Sequence, residues 1–256
     1  MSADAAHEAP AASRAGAALL AARGLSKRFG ALQVLEDVTV EVTAGEAVGI
    51  VGPNGAGKTT LLDVFAGAIR ADSGTVSLHG REVSSLRAAA RCRLGVGRTH
   101  QVPRPFTGMT VFENALVAAT MGARLRGARA QEKALEALEL TGMLALGNRP
   151  ADTLGLLDRK RLELARALAT GPELLLLDEI AGGLTEPETH ELVEHIGQVR
   201  AEGVTIVWIE HVVHALLRVA ERLICLASGR IIADGEPHSV MSDPAVIDAY
   251  LGSSTA

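Results

Sequence analysis

Basic charge is in short supply in this chain. Its 256 residues hold 25 lysines and arginines against 30 aspartates and glutamates, a formal net charge of −5, so no positive field is available to draw in a nucleic-acid backbone. That argues against nucleic acid as a partner. Cysteine is equally sparse: Cys92 and Cys225 lie far apart without metal-ligand spacing and are expected to be buried thiols in a reducing compartment. Nowhere do about eighteen uncharged apolar residues run together, so no direct membrane insertion is expected. Any membrane role must run through a partner. The alanine-rich start, MSADAAHEAPAASRAGAA, carries acidic residues where a secretion signal carries basic ones, and residues 1–16 are expected to form a flexible tail.

What is present is apolar sequence in alternating patterns. At 48% apolar composition the chain can bury one good-sized core, or a core with a smaller lobe. VTVEV (38–42), AVGIV (47–51), TVSLH (75–79), LLLLD (174–178), VTIVWI (204–209) and LICLA (223–227) are strand candidates, several apolar enough to be covered on both faces. They predict a parallel sheet clad in helices. Between about 104 and 170 the runs TVFENALVAAT, QEKALEALEL and DRKRLELARALA read as helices with no strand among them, which predicts a helical subdomain inserted in the α/β core. Thr110 and Glu113 have the spacing of a capping box and should start one of those helices.

The stretch GPNGAGKTT, residues 52–60, falls between a strand candidate and a helix candidate. Gly52, Gly55 and Gly57 let the backbone curl with its N–H groups inward while a helix begins with its positive end toward the same hollow. Such a nest suits a polyphosphate. Gly52, Asn54, Gly55, Ala56, Gly57, Lys58, Thr59 and Thr60 are thus the expected nucleotide-binding set, with Lys58 on the β and γ phosphates and the Thr59 hydroxyl on Mg²⁺. The run LLLLDE delivers Asp178 and Glu179 to the C-terminal end of a buried strand, where α/β sheets bind ligands. Asp178 is expected to hold a water of Mg²⁺, and Glu179 to polarise the attacking water. No base-recognition motif such as NKxD supports a GTPase.

With these motifs in this order, the chain resembles the ATP-binding subunits of ABC transporters over essentially its whole length after the tail. The resemblance implies a P-loop NTPase fold with a mainly parallel sheet, an N-terminal antiparallel β portion and the inserted helical subdomain. It implies ATP and Mg²⁺, a second ATP-binding subunit in a homo- or heterodimer, transmembrane permease subunits, and a peripheral place on the cytoplasmic face of a membrane. Phe29 in LSKRFG stands where the family stacks an aromatic on adenine. Gln101 in GRTHQ matches the glutamine that contacts Mg²⁺ and the water, and His211 after VTIVWIE matches the switch histidine. Arg104 to Thr107 is where membrane subunits are expected to dock. GRTHQVPRPFTGMTVFENALVAA and the ending DPAVIDAYLG are similar to importers of branched-chain and other hydrophobic amino acids; Asp243–Pro244 should also cap a terminal helix. Transport direction stays open at this point.

The family's signature turn is altered. It falls on Leu154, Gly155, Leu156, Leu157 and Asp158, where the usual serine, second glycine and glutamine are replaced. Asp158 is expected either to repel a γ-phosphate held by the opposite subunit, with Arg159, Lys160 and Arg161 offsetting part of this, or to cap its own helix. Thr185 and Ile180 also depart from the family's usual residues. The expectation is an asymmetric motor, complete on its own catalytic face and weakened at the face offered to its partner; a weakly hydrolysing regulatory subunit is the alternative.

Overall fold

The computed structural model describes residues 18–252, so the expected tail at 1–16 lies outside the described residues. In chain order the strands are β1 (Ala18–Phe29), β2 (Leu32–Thr43), β3 (Ala47–Val51), β4 (Ser73–Leu78), β5 (Arg81–Glu82), β6 (Val96–Arg98), β7 (Leu174–Asp178), β8 (Thr205–Ile209), β9 (Arg222–Ala227) and β10 (Arg230–Gly235). The helices are α1 (Lys58–Ala66), α2 (Ala88–Cys92), α3 (Val111–Met121), α4 (Ala128–Leu140), α5 (Leu156–Ala169), α6 (Glu186–Ala201), α7 (Val213–Leu216), α8 (Pro237–Met241) and α9 (Pro244–Gly252).

Two sheets result. One runs β10-β9-β3-β8-β7-β6 and is parallel apart from β10, which pairs antiparallel with β9. Its central strands are covered on both faces, and the pleat divides their side chains between two cores. Leu175, Leu177, Ile206, Trp208, Leu223 and Cys225 join the core shared with the helices that follow β6 and β7. Leu174, Leu176, Val207, Ile209, Ile224 and Leu226 join the other core with α1. Burial on both faces is why these strands read as unbroken apolar runs.

The second sheet, β2-β1-β4-β5, is antiparallel and closes that second core. VTVEV and TVSLH belong here rather than to the parallel sheet: Val38, Val40 and Val42 are buried while Thr39 and Glu41 between them are exposed, the alternation of a sheet with one wet face. From β6 to β7 the chain forms only helices and turns, apart from one bridge between Thr110 and Pro150. α3, α4 and α5 pack on one another there through Val111, Ala115, Ala134, Leu138, Leu162 and Ala165. Thr110 caps α3 as its spacing predicts: Glu113 N–H donates to Thr110 Oγ1 at 3.2 Å and Thr110 N–H donates to Glu113 Oε2 at 2.8 Å. Asp243 caps α9, its Oδ1 accepting Ala245 N–H at 2.8 Å.

Candidate nucleotide and catalytic site

The loop of residues 52–57 joins β3 to α1 at the carboxyl end of the parallel sheet, the side on which such sheets bind ligands. Gly52, Gly55 and Gly57 all have positive φ, 144°, 77° and 103°, a region glycine alone enters without strain. Gly52 is also wedged: a Cβ there would lie 1.9 Å from Leu226 O, and one on Gly57 would lie 2.5 Å from Val34 O. Gly57 caps α1 with no side chain, and no acidic residue occupies the first turn. The unpaired N–H groups of that turn and the helix dipole make a cradle for anionic oxygen.

Lys58, only 5% exposed, folds back over the loop and donates to Gly52 O at 2.7 Å and Pro53 O at 3.0 Å. Burial lowers its pKa, and the nearby Glu179, Cys225 and Asp178 pull the other way. Thr59 and Asn54 are exposed at the mouth, Thr60 half-buried and Ala56 buried. Phe29, at the end of β1, is 51% exposed with Lys27 Nζ 5.4 Å from its ring centre. It is a surface ring, not part of the core.

Asp178 ends β7 and is buried. Its Oδ2 accepts Arg98 Nη2 at 3.0 Å, while its Oδ1 is buried with no hydrogen-bond partner. An orphaned carboxylate oxygen beside the loop fits a hard cation held by one carboxylate, a hydroxyl and substrate phosphates, the way Mg²⁺ is commonly bound. Burial raises the Asp178 pKa against the opposing pull of Arg98.

Glu179 follows with φ 45°, a turn that swings its carboxylate out of the strand's alternation. Two loops meet on it: Gln101 Nε2 donates to Oε2 at 2.6 Å, and His211 Nε2 lies 2.8 Å from Oε1. Three residues far apart in the chain thus meet at one carboxylate, delivered by β6, β7 and β8 side by side.

Two residues that the sequence did not single out organise this cluster. Arg98, at the end of β6, bridges Asp178 and Asp63 of α1. Glu210 is buried, accepts Ala181 N–H at 2.6 Å and His211 N–H at 3.2 Å, and so fastens the turn after Glu179 to the turn carrying His211. Burial raises its pKa.

Of the two roles expected for Asp158 in the altered signature turn, the structure overturns the helix cap. Gly155 is the N-cap of α5, and Asp158 sits inside the first turn, so it does not cap the helix; it pairs with Arg161 at 3.5 Å. Arg161 also binds Glu191, and both Arg161 and Lys160 are buried, which removes them as surface charges. Leu156 is exposed. Thr185 caps α6 in a capping box, its N–H and Oγ1 donating to Glu188 Oε2 at 2.8 and 2.7 Å. Neither cysteine is bonded, and Cys225 is buried as expected, but Cys92 is only half-buried.

The model of the family described as ABC transporter matches residues 35–182, more than half of the 256. The chain belongs to the ABC transporter family. This ABC chain also matches, over residues 230–256, the model described as branched-chain amino acid ATP-binding cassette transporter. It is 39% identical over 249 residues to the high-affinity branched-chain amino acid transport ATP-binding protein LivG of Salmonella typhimurium, covering 91% of this chain and 98% of that one. The probable LivG of Methanocaldococcus jannaschii is 31% identical over 250 residues, with 91% and 97% covered. Among solved structures, the ADP conformation of an ATP-binding cassette of an ABC transporter superposes with a TM-score of 0.84 at 31% identity, covering 92% of this chain and 99% of that one. The expected P-loop fold, with its parallel sheet, antiparallel portion and helical insertion, is therefore the fold of the chain. It is an ATPase domain of the kind that powers transport.

Proposed function

We propose that the chain is the ATP-hydrolysing subunit of an importer of branched-chain or other hydrophobic amino acids. The observation that carries the catalytic part is Glu179 held between Gln101 and His211 beside the glycine-rich loop; the solute class rests on the relatives' names and the match at 230–256.

In this reading the loop N–H groups and α1 take the phosphates and Phe29 offers its ring to the base. Lys58 exchanges the carbonyls of Gly52 and Pro53 for phosphate oxygens. Thr59, Asp178 and Gln101 would hold Mg²⁺, which would supply positive charge against the oxygens of the leaving ADP. Glu179 takes a proton from the attacking water as the bond to the γ-phosphorus forms and the bond to the β-γ bridging oxygen breaks. Each carboxylate oxygen has a second lone pair, so the hold of Gln101 and His211 orients the base without disabling it. His211 then faces the γ-phosphate.

The chain would work beside permease subunits as a peripheral protein; among the described residues no helix is long and apolar enough to cross a membrane. Arg104–Thr107 would receive them. Phe106 is exposed there, with Arg166 4.8 Å from its ring centre, and Arg166 also donates to Arg104 O. A cavity of about 330 Å³ between Ala66, Cys92, Ala118 and Ala167 lies alongside.

A second ATP-binding subunit would meet the N-terminus of α5. With Leu156 exposed and Asp158 in that first turn, we read the pair as asymmetric. Restoring Gly155→Ser, Leu157→Gly and Asp158→Gln should raise the ATPase rate of the assembled complex, and an unchanged rate refutes the asymmetry. For hydrolysis itself, Glu179→Gln should abolish phosphate release and leave nucleotide binding intact, since an amide is no base. Retained turnover removes Glu179 from that role.

A further inference from the structure

The C-terminal helix reaches the glycine-rich loop. Gly52 N–H donates to Tyr250 Oη at 2.8 Å, across 198 residues of sequence. This contact joins the segment that matches the branched-chain amino acid ATP-binding cassette transporter model to the first residue of the phosphate cradle.

The surrounding geometry gives it leverage. β3 ends at Val51, and Gly52 turns out of the strand with φ 144° while Leu226 O fills the place of its missing side chain. Its carbonyl accepts Lys58 Nζ at 2.7 Å. One residue is therefore gripped at its N–H by α9 and at its C=O by the lysine that the proposed function sends to the phosphates. α9 is itself anchored, with Val246 buried and Asp243 capping its start. Burial pushes the Tyr250 phenol above its usual range, so at neutral pH it keeps its proton and accepts through a lone pair.

We propose that Tyr250 is a positioning residue for nucleotide binding: docked α9 fixes the Gly52 peptide in the orientation that opens the cradle. When Lys58 leaves Gly52 O for a phosphate, the carbonyl loses its restraint and the Tyr250 contact becomes the remaining side-chain hold. Docking of α9 and occupation of the loop then favour each other, and linkage requires the effect to run both ways. The inference rests on the reading that the loop binds ATP.

The test uses the full chain with Tyr250→Phe, which deletes the hydroxyl and keeps the ring. ADP titrated calorimetrically should bind about five- to tenfold more weakly, the reach of one hydrogen bond in a structured site. The KM for ATP should rise in step while kcat at saturation stays near the parent value, a split that general loosening of the fold would not give. Hydrogen exchange over residues 244–252 should slow on adding ADP to the parent and respond less in Tyr250→Phe. Parental ADP affinity in the variant overturns the inference and leaves the ATPase reading standing; a parent chain that binds no ADP overturns both.

Discussion

Arg98→Met removes the bridge between Asp63 and Asp178. In the parent the Arg98 side chain is 14% exposed, against 3% for Asp178 and 28% for Asp63, so the three groups are unequally hydrated. Without the guanidinium, Asp63 can turn toward water, whereas Asp178 keeps a carboxylate in a dry pocket with one oxygen already lacking a partner. Breaking such a pair by removing one member costs about 3–5 kcal/mol. The lower end applies here because Asp63 is partly wet. For a chain of this size each kcal/mol moves the melting temperature by about 2–4 °C, so Arg98→Met should melt about 6–12 °C below the parent. The measurement is thermal unfolding followed by circular dichroism, without nucleotide or divalent cations. Arg98→Lys should fall between, because one ammonium cannot serve two carboxylates through a fork. Adding Asp63→Asn to Arg98→Met should recover part of the loss by removing the carboxylate that faces Asp178. A melting point for Arg98→Met within about 2 °C of the parent, an interval too small for a stranded buried charge, refutes the electrostatic account of this bridge.

Gly52→Ala should abolish nucleotide binding and lower stability, because the new methyl meets Leu226 O at 1.9 Å on a backbone with φ 144°. Gly55→Ala meets nothing within 4 Å and should cost only the left-handed strain of about 1–2 kcal/mol; equal losses in binding titrations and melts of the two variants would contradict this difference. Thr185→Ala removes the cap of α6 and should lower the melting temperature slightly at neutral pH. The hydrogen bonds from Thr185 hold the Glu188 carboxyl below its ordinary pKa of 4.5, so their contribution is present above that value and fades as pH falls through the depressed one. Alanine keeps the backbone N–H bond to Glu188 and loses the hydroxyl's, so the gap between Thr185→Ala and the parent should narrow in acid by the hydroxyl's share, and a gap that does not change with pH refutes the carboxylate's part.

The sequence showed most where a single element carries the signal. AVGIV and LLLLD coincide with β3 and β7 because strands buried on both faces have no polar residue to blur their ends. β1 escaped notice: Arg23, Ser26, Lys27 and Arg28 interrupt its apolar pattern, and its register shifts at several points against β2. β6 is three residues long and is defined by its neighbour β7. At the site, the loop and the two acids at the end of β7 stand in contiguous motifs. Arg98, Glu210 and Tyr250 act on groups 80, 29 and 198 residues away, and no local pattern marks an arginine, a glutamate or a tyrosine as the partner of a distant backbone or carboxylate. The exposure of Phe29 and the burial of Lys160 and Arg161 likewise depend on neighbours that only folding supplies.

The left-handed backbone of Glu179 has one more consequence. A side-chain-bearing residue at φ 45° holds conformational strain of about 1–3 kcal/mol, which glycine would relieve. An engineer selecting this chain for heat resistance alone would thus be drawn toward deleting the carboxylate on which Gln101 and His211 converge. Thermal tolerance and turnover pull this position in opposite directions, so stabilised variants should be screened for phosphate release before any gain is accepted.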